Sequence, residues 1–175
     1  MTSRSFIGQV KQSAAWLGVL LMTACGTGVA TPNPSPEPTP NWLIADSSTK
    51  SVKLTLIASY NSDNAGFNFN GYDSGKMIVS VPDGWQVMID CQNHGNANHS
   101  CAIVKGAGDQ TPAFPGSATP DPTQGAPNGS SQTSTFQTAN PGTYRISCLV
   151  PGHDGAGMWD TFIVTTGGEP QIKFG

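Results

Sequence analysis

Charge is scarce in this chain. Asp, Glu, Lys and Arg make up 11% of its 175 residues, 8 basic against 11 acidic. No basic cluster is present, which argues against nucleic acid as a partner. Histidine is scarcer still, with three residues, and cysteine numbers four. A catalytic centre that needs many imidazoles, such as a multinuclear redox cluster, therefore lacks ligands here. Long apolar runs are missing too: the longest, Ala14 to Met22, falls short of the roughly 20 residues that cross a bilayer. Beyond it no segment repeats apolar residues at helical spacing, which leaves an all-β chain as the expected class.

What is present begins with an export pattern. Arg4 and Lys11 precede the apolar run, which ends in Leu21-Met22-Thr23-Ala24-Cys25-Gly26. This resembles a lipoprotein leader, so residues 1–24 are expected to be removed and Cys25 to carry lipid, with ordinary secretory cleavage near Ala24 or Ala30 as the alternative. Cleavage there leaves 6 Lys+Arg against 11 Asp+Glu. Pro then recurs at every second position through Pro40, a composition that favours extended polyproline conformation at about 3.1 Å per residue. Residues 25–41 read as a lipidated tether and 42–175 as one folded domain.

Within that domain short apolar alternations are separated by Gly, Pro and Asn. They include Val52/Leu54/Leu56, Met77 to Val81, Trp85 to Asp90, Cys101 to Val104, Thr143 to Cys148 and Met158 to Thr165. Some seven or eight strands of this kind predict a β-sandwich. Residues 106–133 break the rhythm: they are rich in Pro, Gly, Ser, Gln and Thr, with Phe114 their one large apolar side chain. They are expected to be a long flexible insertion.

The richest stretch is Cys148-Leu-Val-Pro-Gly-His153-Asp-Gly-Ala-Gly-Met158. A thiolate, an imidazole and a thioether share one short loop, and a second imidazole, His99, lies upstream. Two His and one Cys in a trigonal set, with a weak axial Met, suit a blue-copper electron-transfer centre, because soft sulfur ligands favour the monovalent ion and imidazoles suit both states. Alternation turns Cys148 inward at a strand end, and Val150-Pro-Gly152 turns the chain back towards it. Cys91 and Cys101 admit three readings. They form a disulfide across a hairpin, remain buried thiols, or join His94 and His99 in a zinc site. In the last case, or if His94 is the true first imidazole, His99 is lost to copper.

Phe67-Asn-Phe-Asn-Gly71, Val81-Pro-Asp-Gly-Trp85, Asn98-His99-Ser100 and Cys148-Leu-Val-Pro-Gly-His153 with Met158-Trp159 together resemble the cupredoxins, and most of all the sulfocyanin family. The resemblance implies a Greek-key β-sandwich, one type 1 copper held by His99, Cys148, His153 and Met158, and electron transfer beside a membrane redox chain. Asn98 and Ser100 flank His99 where relatives often carry Pro and Asn, so either is expected to supply the hydrogen bond that steadies the ligand loop. The chain is then expected to be a monomeric, membrane-anchored, non-enzymatic carrier at the outer or periplasmic face. It would meet respiratory or photosynthetic redox proteins transiently, with His153 as the exit for the electron. Leu149, Val150, Pro151, Ala156 and Trp159 would form an apolar rim, with Trp159 equally placed as core, and Asp154 would be solvated or would modulate docking or potential. An exported copper-delivery protein without electron transfer is the alternative.

Overall fold

A computed structural model describes residues 41–175. The expected leader, Cys25 and the tether up to Pro40 lie outside the described residues. Nine strands follow: β1 Leu43–Asp46, β2 Ser51–Ala58, β3 Met77–Pro82, β4 Gln86–Asn93, β5 Ala102–Val104, β6 Ser131–Gln137, β7 Gly142–Ser147, β8 Trp159–Thr165 and β9 Gln171–Phe174. They form two sheets, ordered β1-β2-β4-β6 and β5-β7-β8-β3-β9. The pairs β2/β4 and β3/β8 are parallel and the rest antiparallel, so neighbours in space are often distant in sequence. Among the described residues no helix is long and apolar enough to cross a membrane.

Period-two alternation makes the two layers. Val52, Leu54 and Leu56 of β2 and Val87, Ile89 and Cys91 of β4 bury their side chains from one sheet. Met77, Val79 and Val81 of β3, Ile146 of β7, and Phe162 and Val164 of β8 do so from the other. Successive side chains of a strand point to opposite faces, so the intervening polar residues face outward. The core continues into Cys148 and Met158, so the apolar interior extends under the site.

Residues 106–133 depart from the expectation of a loose insertion. Their last residues, from Ser131, already belong to β6. The rest runs beside β5, an edge strand, through isolated bridges Val104↔Pro112, Ala102↔Ala118 and His99↔Ala126. Phe114 is buried, stacked on Phe136 at 5.3 Å and against Tyr144 at 4.8 Å. An uncovered edge strand exposes unpaired amides, and this segment covers the edge of β5.

Candidate metal centre

Four loops meet at one end of the sandwich. Cys148 follows β7, and Met158 precedes β8, so the strand pair β7/β8 sets the ends of the loop between them. Cys148 N–H donates to the Met158 carbonyl at 3.3 Å, and Met158 N–H to the His153 carbonyl at 3.0 Å. The loop is therefore closed on itself by its own backbone.

His99 comes from the β4–β5 connection, which is fastened from two sides. A disulfide joins Cys91 in β4 to Cys101 beside β5, across ten positions of chain that contain both His94 and His99. On the other side His99 exchanges two backbone hydrogen bonds with Ala126, at 3.1 and 2.8 Å. Gly125 is needed for that approach: at φ +69° it takes a conformation that favours glycine, and a Cβ there would sit 2.7 Å from Val150 and 2.9 Å from the His99 carbonyl.

These loops bring His99, Cys148 and His153 together, with one ligand atom of each within 4.8 Å of the others. The His99 and His153 Nδ1 atoms are 3.2 Å apart, and Cys148 Sγ lies 3.9 Å from the first and 3.4 Å from the second. Bonds of about 2.0 Å to nitrogen and about 2.3 Å to sulfur, as for borderline first-row ions, place trigonal ligands about 3.5 Å (N···N) and about 3.7 Å (N···S) apart. The triangle therefore fits one such ion. Met158 is fully buried in the same core cluster as Cys148. His94 is exposed and stands outside the triangle. With Cys91 and Cys101 bonded to each other, the zinc reading of that cluster has no ligands to stand on.

Electrostatics frees both imidazoles of protons but holds the proton on the thiol. Burial, and after it His153, lowers the pKa of His99 to about 4. Burial lowers His153 as well. Both rings are thus neutral near pH 7 with lone pairs to offer. Burial raises the Cys148 pKa, opposed by hydrogen bonds from the Ser100 and Val150 amides and the Ser100 hydroxyl, while Asp154 pushes it further up. A bound cation would displace that thiol proton, since metal ligands must be deprotonated. Ser100 is the steadying residue of the two that flank His99. Its N–H donates to Cys148 Sγ at 3.3 Å, and its hydroxyl accepts the Leu149 N–H at 2.9 Å. Asn98 instead donates to the Gln124 carbonyl at 3.2 Å.

Several surroundings depart from the sequence reading. Asp154 is not solvated: both its oxygens lie 3.0 Å from Arg145 Nη1, and Ser147 Oγ and Gly108 N–H also donate to it. Arg145 in turn stacks 3.6 Å over Trp159, which makes Trp159 the floor of an ion pair rather than rim. Leu149 is fully buried with Ala102, Val104 and Ala118. Phe67 has no role in the sequence beyond its motif, but its ring stands edge-on to both imidazoles, 4.9 Å from His153 and 6.5 Å from His99. The same motif explains its placement. Asn70 is buried and bonds the backbone of Ile57 and Thr55, and Asn68 bonds that of Tyr60, Asn61, Asp63 and Gly71. Together they tie the Phe67 loop to the end of β2.

The family described as Sulfocyanin (SoxE) domain matches residues 38–168. A curated relative, the sulfocyanin of Sulfolobus acidocaldarius, is 26% identical over 132 residues, which cover 68% of this chain and 66% of that protein. The chain thus spans just under two thirds of that relative's length. Similar solved structures include an auracyanin from Roseiflexus castenholzii, 24% identical with TM-score 0.47, covering 65% of this chain and 96% of the other. Another is auracyanin A from Chloroflexus aurantiacus, described as a blue copper protein, 19% identical with TM-score 0.48, covering 66% and 99%.

Proposed function

This chain belongs to the sulfocyanin family of cupredoxins, whose members hold one type 1 copper, and on that premise we propose that it carries single electrons between membrane-associated redox proteins, with His99, Cys148, His153 and Met158 as the ligands. The observation that carries the reading is the triangle of two imidazole nitrogens and one thiol sulfur within 4.8 Å, with a buried thioether on the same loop. When bound, copper supplies the one-electron couple, and no substrate bond is made or broken.

The side chains divide the work. Cys148 supplies a sulfur buried from water and held by Ser100; burial and hydrogen bonding at the sulfur set the potential of such centres. His99 is 2% exposed and faces the interior of the loop cluster. His153 is half-buried, with exposed Pro151, Gly152, Gly155 and Ala156 around it, which makes its ring the exit for the electron. No charged residue lies between Cys148 and His153, and Asp154 is spent on Arg145. A small uncharged face favours brief encounters over tight complexes. The leader, lipidated Cys25 and Pro-rich tether complete the proposal: an exported monomer on a membrane anchor, meeting its partners on a spacer. With three histidines in the chain and His94 apart from the other two, we propose no enzymatic role.

The test is the visible and electron-spin-resonance spectrum of the copper-loaded, oxidised protein. An intense sulfur-to-copper absorption that Cys148→Ser abolishes is expected, with reversible one-electron voltammetry. Met158→Leu should keep the colour and raise the potential, because losing the thioether that would be a weak donor to copper would disfavour the divalent ion. Absorption that survives Cys148→Ser refutes the ligand assignment. Monovalent copper bound without the band or the voltammetric wave would instead mark a delivery protein.

A further inference from the structure

We infer that Ser59 is a positioning residue for this centre: its hydroxyl fixes the tautomer and ring orientation of His99, so that Nδ1 faces Cys148 and His153. The inference rests on the copper reading above. It is carried by a hydrogen-bond chain that runs away from the metal. Ser59 Oγ lies 2.7 Å from the Gly66 carbonyl and 2.9 Å from His99 Nε2. A carbonyl can only accept, so the single hydroxyl proton goes to Gly66. Towards the ring Ser59 Oγ must then accept, which assigns a proton to Nε2 and leaves a lone pair on Nδ1, the atom that faces the other two ligands. Nε2 has no other hydrogen-bond partner among the described residues.

The surroundings hold Ser59 in this pose at a cost. It follows the last residue of β2 with φ +53°, a left-handed conformation uncommon for residues other than glycine. Its N–H is bound to the Asn68 carbonyl at 3.0 Å. Strained backbone of this kind persists where neighbours over-determine it, and it gathers at functional sites. Gly95 packs against the hydroxyl from the other side. A Cβ at that position would collide with the Ser59 side chain and come within 3.2 Å of Nε2. The motif around Phe67 thereby acquires a second role, since besides placing the Phe67 ring it delivers the Gly66 carbonyl that orients the Ser59 proton.

The relay borders a cleft of about 540 Å³ lined by Ser59, Gly66, Phe67, Gly95 and His99, among others. Water entering there can replace a deleted hydroxyl, but a water rotates and does not dictate which ring nitrogen is protonated. The imidazole should therefore lose its preference rather than its hydrogen bond.

Two variants separate this role from plain packing. Ser59→Ala removes the hydroxyl and keeps a Cβ at positive φ; Ser59→Gly removes the hydroxyl and relieves the backbone. The two should differ in stability and agree at the metal. Nitrogen NMR of metal-free wild type should show His99 as one tautomer, protonated at Nε2, and both variants should show a mixture. Loss of an outer partner to a ligating histidine typically weakens metal binding about 10- to 100-fold, so both variants should release copper about that much more readily, with a shifted reduction potential. Wild-type tautomer and wild-type copper retention in both variants would overturn the inference. So would effects on copper that track stability, present in Ser59→Ala and absent in Ser59→Gly. Failure of wild type to bind copper would refute the functional reading instead, while the metal-free NMR would still decide the role of Ser59.

Discussion

Replacing Asp154 with Ala should loosen the whole ligand loop, and its cost can be worked from contacts. Asp154 directly follows His153. Its carboxylate receives Arg145 Nη1 at 3.0 Å on both oxygens, Ser147 Oγ at 2.9 Å and Gly108 N–H at 3.1 Å. The loop is thereby pinned to β7 and to the segment that covers β5. The side chains of Arg145 and Asp154 are 18% and 13% exposed. Removing one partner of a fully buried pair costs about 3–5 kcal/mol, because the other charge is left desolvated; an exposed pair is worth at most about 1 kcal/mol. With partial access of water, Asp154→Ala should cost about 2–3 kcal/mol, read as a lower urea midpoint at unchanged slope. Arg145→Met should cost a similar amount, and the double variant less than the sum. Neighbouring charges couple by about 0.5–3 kcal/mol in such cycles. A coupling below about 0.5 kcal/mol would refute the reasoning, since it would place the pair among ordinary surface ion pairs.

Phe114→Ala should cost about 3–5 kcal/mol, because its ring is buried between Phe136 and Tyr144; a loss below about 1 kcal/mol by chemical denaturation would show that residues 106–133 merely lie on the surface. Asp160 is fully buried, with Oδ1 on the Met77 N–H at 2.9 Å and Oδ2 unpartnered, and burial raises its pKa from 3.8 to about 7. The neutral form is favoured only in the folded chain, so the contribution of Asp160 to stability is fully present below about pH 4, falls as pH rises towards 7, and is lost above. The total is on the order of 4 kcal/mol at about 1.4 kcal/mol per pH unit. Asp160→Asn should remove that slope, and parallel pH–stability curves for the two proteins would count against it.

Legibility from sequence followed burial. Strands β2, β3, β4 and β8 bury every second residue, and their alternation is visible along the chain. Strands β1 and β9 are mostly exposed edges, so tertiary pairing, not pattern, makes them strands. Strand β6 buries only Ser134 and Phe136 along Ser131–Gln137, and its polar face disguised it as the tail of an insertion. The rest of that insertion is short of apolar residues because its work is done by backbone bridges to the edge of β5 and to His99, which need no particular side chain. Composition therefore read as looseness.

The site divides in the same way. Cys148, His153 and Met158 could be read because one loop carries them all, whereas His99 is preferred to His94 only through the resemblance carried by Asn98-His99-Ser100. Ser59 and Arg145 left no mark in the sequence. Each acts on a ligand or its neighbour across 40 or 9 positions of chain, through geometry that only the folded sandwich creates. This division has a physical reason. Metal chemistry restricts which side chains can be ligands, whereas any donor or acceptor of suitable reach can hold a ligand still. The orienting groups of this centre are thus a serine hydroxyl, a backbone amide and an ion pair, each ordinary in isolation. Their effect comes from burial: Ser100 N–H matters to Cys148 because both are closed off from water, where a competing solvent hydrogen bond is not on offer.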